Sequence, residues 1–230
     1  MELVAAAVYE RAMRRERVFK DHLDPLHISD EKLMRTYRFP RIEIMRIIAM
    51  LDPHLRRATR RSHAVSTNTQ ILVTLRFYAS GTFQNVLAET VGLSQPTVSG
   101  IINNVTAILE RTARTDIKMP EGPAAVTAAM QAFASIRNFP RVIGAIDGTH
   151  IPIKGPMEDE HIYVNRKHFH SLNVQVICDA NKLILNYVCK YPGSTHDAFI
   201  WANCFVRQRF EDGEFGSAAL LLGEYLVPQV

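Results

Sequence analysis

Cysteine is scarce in this 230-residue chain, which has only Cys178, Cys189 and Cys204. An odd count with no C-x-x-C pair excludes a disulfide framework and a zinc ribbon, and a reducing intracellular compartment is the expectation. Long apolar runs are also missing. The opening MELVAAAVYERAMRRER has few consecutive apolar residues after Glu2. That is too few for a secretory signal or a membrane span, so the segment reads as an amphipathic helix with a basic end. The expectation is a soluble protein with no membrane association. The chain shows no low-complexity tract, no internal repeat and no H-E-x-x-H motif.

What is present suits a globular fold. The residues are 47% hydrophobic and 22% charged, enough for one large domain or two small ones with a real core. The net charge of +4 is unevenly placed. Residues 1–120 hold 18 Lys+Arg against 12 Asp+Glu, and residues 121–230 hold 9 against 11. A basic first half and a slightly acidic second half suit a polyanion-binding part joined to a metal-binding part.

Hydrophobic spacing divides the chain in the same way. Ser29 precedes an acidic first turn and reads as a helix cap. Ile44, Ile47, Ile48 and Leu51 form a helical stripe expected to end before Pro53. A third helix runs from Ser66 or Thr67 to a stop at Gly81, burying Ile71, Leu72, Leu75 and Tyr78. After the Gly-Pro of EGPAA and one more helix, the period changes. VIGAI, HIPI, SLNVQVICD and LILNYVCKY are rich in Val, Ile and Tyr and read as a sheet. One helix is expected from His196 through Phe210, with Phe199, Ile200, Cys204 and Phe205 on one side and with Phe199 and Trp201 in the core.

FQNVLAETVGLSQPTVSGIINNV, residues 83–105, has the form of a helix-turn-helix. Ala88 permits close crossing, Gly92 supplies a positive-φ turn residue, and Ser94 and Pro96 open the second helix. Val98, Ile101, Ile102 and Val105 face inward. Gln95, Thr97, Ser99 and Asn103 are then left for base edges in a major groove. Arg60 and Arg61, in LRRATRRSHAV, are candidate phosphate contacts. A plain helical hairpin with a solvated charge run would show the same pattern.

Two aspartates stand out in the second half. In RVIGAIDGTHIPIKGP, Asp147 interrupts an apolar segment, where an unpaired buried carboxylate would be costly. It is either a turn residue or a metal ligand. Asp197, in YPGSTHDAFIW, follows a strand-like segment and stands at a helix start. It is either a cap or a second ligand converging on the same sheet edge. Paired carboxylates select hard ions such as Mg²⁺ or Mn²⁺. Five histidines between residues 150 and 196, including the His168/His170 pair, lack a recognisable closed ligand set for zinc.

GAIDGTHIPIKGP, YVNRKHFHSLNVQVICD and YPGSTHDAFIW together resemble the catalytic segments of the Harbinger-type transposases. TRRSHAVSTNTQILVTLRFYASGTFQNVLAETVGLSQPTVSGII resembles their helical N-terminal region, and the likeness spans roughly residues 29–222. The resemblance implies an α+β or α/β chain: a helical helix-turn-helix domain over 1–120, a connecting helix over 121–139, and an RNase H-like DDE nuclease domain over 140–230. It implies that Asp147 and Asp197 are the first two catalytic acids and bind divalent metal. The third acid, a Glu on a late helix, is expected beyond a chain that reads as C-terminally truncated. Glu224, where the family has Gly-Asp-Ser-Gly-Tyr, is a further candidate carboxylate. Arg166 and Lys167 fall in the family's Asn-Arg-Lys segment and are assigned to the DNA backbone. The resemblance further implies a DNA substrate, a Myb-like partner protein, and a nuclear as well as cytoplasmic location. The rival expectation is a non-catalytic DNA-binding or adaptor protein on the same fold.

Overall fold

The computed structural model describes residues 28–56 and 64–223. They divide into two compact units between Thr112 and Ala113, each with its own core.

The first unit is helical: α1 (Asp30–Tyr37), α2 (Arg41–Leu55), α3 (Thr67–Ser80), α4 (Gln84–Val91) and the start of α5 (Gln95–Asp116). Ser29 and Ser66 cap α1 and α3, their hydroxyls accepting the N–H groups of Lys32 and Thr69. Gly81 and Gly92 close α3 and α4 with φ of +60° and +67°, a region that costs other residues steric strain. The core joins Ile44, Ile48 and Leu51 of α2 to Ile71, Leu72 and Leu75 of α3, and to Val98, Ile101, Ile102 and Val105 of α5. Two details differ from the sequence expectation. Helix α2 runs through Pro53 to Leu55, because Leu55 is buried and the Arg56 N–H still reaches the Asp52 carbonyl. Tyr78 is half exposed, its hydroxyl bonded to that of Thr106.

The second unit takes in the end of α5 and then α6 (Gly122–Arg137), followed by a four-stranded mixed sheet in the order β3–β2–β1–β4. Strands β1 (Val142–Pro152), β2 (Ser171–Cys178) and β3 (Ile184–Pro192) pair antiparallel, and the short β4 (Leu220–Leu222) lies parallel to β1. Between β3 and β4 come α7 (Asp197–Ala202) and α8 (Phe205–Glu211). Ile143 and Ile146 of β1 and Ile177 of β2 share a core with Cys204, Val206 and Phe215. The single helix expected from His196 to Phe210 is therefore two. The break at Asn203–Cys204 turns α8 so that Val206 enters the core, leaving Phe205 76% exposed. Phe199 is also outside the core, at 55% exposure, while Trp201 packs partly against it.

Candidate active site

Strand β1 passes unbroken through the Asp-Gly-Thr-His segment. Asp147 pairs with Val176 and Gly148 with Gln175, so Asp147 is a strand residue and not a turn residue. Its carboxylate is exposed, and Oδ1 accepts the N–H of Gly148 at 2.7 Å.

Asp197, fifty residues later in sequence, is brought to Gly148, the next residue of β1. It is the first residue of α7 and its side chain does not cap that helix. Its Oδ1 instead accepts a hydrogen bond from Asn173 Nδ2 at 2.7 Å, and the same nitrogen donates to the Thr195 carbonyl at 2.8 Å. The carboxylate rests on Gly148: a Cβ there would stand 2.6 Å from Oδ1 and 3.0 Å from Oδ2. Strand alternation directs positions 147 and 148 to opposite faces, so the two carboxylates flank one stretch of β1 backbone. Bond lengths through N, Cα and an added Cβ of Gly148 limit the separation of their Oδ1 atoms to at most roughly 8 Å.

Strand β2 contributes residues that the sequence reading passed over. Ser171, Asn173 and Gln175 alternate with apolar residues, a pattern that normally sends the polar set to solvent. Here Ser171 is fully buried, and Asn173 and Gln175 are 2% and 3% exposed. Buried polar stripes need partners, and Ser171 has two. Its Oγ accepts from Asn165 Nδ2 at 2.9 Å and lies 3.0 Å from His150 Nδ1. Asn165 Oδ1 takes the Lys167 N–H at 2.8 Å, which assigns its amide orientation. The Ser171 proton is then available to His150 Nδ1, which favours the Nε2–H tautomer of that ring. The exposed loop carrying Arg166 and Lys167 is thereby tied to β1 three residues from Asp147.

Among the described residues, no Lys or Arg forms an ion pair with Asp147 or Asp197, so both keep carboxylate oxygens for a cation. The donor set is all oxygen, which fits Mg²⁺ or Mn²⁺ completed by water. Among the described residues no group of three or more His, Cys, Asp and Glu could hold a metal. Glu224 lies outside the described residues. Leu222, two positions before it, pairs with Ala145, two positions before Asp147. His170 is engaged by Glu160 at 2.9 Å.

The helical candidates are dispersed in role. Gln95 Nε2 donates to Gln84 Oε1 at 2.8 Å, tying α5 to α4, and the Thr97 hydroxyl is bonded to Ser94. Ser99 is half-buried, whereas Asn103 is exposed. Arg60, Arg61 and the basic segment before residue 28 lie outside the described residues.

Residues 146–225, which hold both aspartates, match the family model described as DDE superfamily endonuclease. The chain is 38% identical over 186 residues to the rat protein named "Putative nuclease HARBI1", covering 81% of this chain and 53% of that one. The human protein of the same name is 36% identical over 194 residues, covering 84% and 56%. This chain is a homologue of the Harbinger transposase-derived nucleases. It spans about half the length of these curated relatives. An Arabidopsis thaliana protein named "Protein ALP1-like" is 28% identical to this chain over 152 residues, covering 65% of this chain and 37% of its own. No solved structure matches.

Proposed function

We propose that this chain carries the core of a transposase-derived nuclease that hydrolyses DNA phosphodiester bonds, with Asp147 and Asp197 as ligands of Mg²⁺ or Mn²⁺. The observation that carries the reading is the seating of the Asp197 carboxylate on Gly148, next in chain to Asp147. Bound divalent ions would supply a water of lowered pKa and charge for the leaving oxygen. The two carboxylates would hold and orient the ions. Arg166 and Lys167, presented on the loop anchored by Asn165, would neutralise the DNA backbone beside the site. Glu224 is proposed as a further ligand on the family likeness alone. The strand order and directions also support an RNase H-like domain.

The pair α4 and α5, joined by Gly92, Leu93 and Ser94, supports a helix-turn-helix in the first unit. Asn103 would contact a base edge, with Gln95, Thr97 and Ser99 shaping the approach. The Myb-like partner and nuclear action follow from family likeness alone.

The test is calorimetric titration of the 230-residue chain with Mn²⁺, beside Asp147→Ala and Asp197→Ala. Binding that both substitutions weaken supports the nuclease reading. A folded wild-type chain that takes no Mn²⁺ would leave a non-catalytic DNA-binding or adaptor protein as the better account.

A further inference from the structure

We propose that Asn173 is a positioning residue that holds the carboxylate of Asp197 for metal, with Gly148 as the floor of its seat; the inference rests on the reading of Asp197 as a ligand. Asn173 lies on the central strand, 2% exposed, and donates from a single nitrogen to Thr195 O and to Asp197 Oδ1. Its own Oδ1 is buried and has no hydrogen-bond partner among the described residues. An unpaired buried acceptor is unfavourable, and turning the amide over would bring that oxygen against two acceptor oxygens instead. The orientation is therefore set by what the nitrogen holds. One of its two bonds fixes the backbone just before α7, and the other fixes the carboxylate that α7 carries.

Gly148 completes the arrangement from the other side. A side chain there would meet Oδ1 at 2.6 Å, the Asp197 carboxyl carbon at 2.8 Å and Oδ2 at 3.0 Å, so any larger residue must displace the group. Partners of this kind around metal ligands typically change affinity by about 10- to 100-fold when removed.

The experiment is a double-mutant cycle on the 230-residue chain, with the Mn²⁺ dissociation constant as readout and circular dichroism to verify folding. Asn173→Ala should weaken Mn²⁺ binding on the order of tenfold or more in the wild-type background and have no further effect in Asp197→Ala. Gly148→Ala provides an independent variant and should behave in the same way. An equal loss from Asn173→Ala in both backgrounds would assign Asn173 a general structural role and overturn the proposal. So would undiminished affinity in folded Asn173→Ala while Asp197→Ala loses binding. If Asp197→Ala itself binds Mn²⁺ as wild type does, the ligand reading fails, and this inference fails with it.

Discussion

Asn165→Ala tests the wiring between the basic loop and the sheet. Asn165 is 4% exposed and makes three side-chain bonds: to Ser171 Oγ at 2.9 Å, from Lys167 N–H at 2.8 Å and from Phe169 N–H at 3.4 Å. Truncation leaves the fully buried Ser171 Oγ with no donor to its lone pairs and only the bond to His150 Nδ1, and an unmet buried acceptor costs about 1–3 kcal/mol. The Lys167 N–H stands on an exposed loop and can turn to water, so its bond contributes only about 1 kcal/mol net. The Phe169 bond is long and adds little. The expected destabilisation is about 2–4 kcal/mol, read from urea unfolding of the full chain. Asn165→Asp keeps both backbone bonds, and the Ser171 hydroxyl can turn to donate to the new carboxylate, so its loss should be smaller. An Asn165→Ala variant within about 0.5 kcal/mol of wild type would refute the argument, because such a value is ordinary for a surface change.

The remaining predictions concern other parts of the chain. Gly144→Ala would place a Cβ 2.8 Å from Ile177 Cγ2 and 3.0 Å from Leu221 Cδ2. Overpacking of this kind costs about 1–3 kcal/mol, and thermal unfolding should show it. Burial raises the Tyr37 phenol above its ordinary value, with Arg76 opposing. Its neutral form is therefore favoured by folding, so this contribution to stability is complete below about pH 10 and is lost as pH rises through the folded pKa. Denaturant titrations at pH 9 and pH 11 should differ more in wild type than in Tyr37→Phe. Duplex DNA binding should weaken steeply with salt, and Arg166→Ala/Lys167→Ala should lower the log–log slope by about two. An unchanged slope would remove both residues from the DNA interface.

Periodicity located most elements because each depends on local patterning: caps at Ser29 and Ser66, stops at Gly81 and Gly92, and strand-rich composition after residue 140. Where the reading failed, tertiary packing overrode local preference. Helix α2 carries Pro53 because Leu55 has a core to enter. The segment after His196 breaks in two because Val206, and not Phe205, fits against the sheet. The polar stripe of β2 went unread for a related reason. Alternation says that two faces differ, but it does not say which of them is covered.

By itself the sequence determined the α+β class, the helical first half and the suspicion attached to Asp147 and Asp197, since unusual residues in apolar surroundings are visible in one dimension. It could not determine that Asp147 lies within a continuous strand, or that Asp197 rests on Gly148 under the hold of Asn173. Those facts depend on strand register and on the path by which α7 returns to β1 and β2. Contacts between residues tens of positions apart are set by how whole elements pack, and no local pattern encodes them.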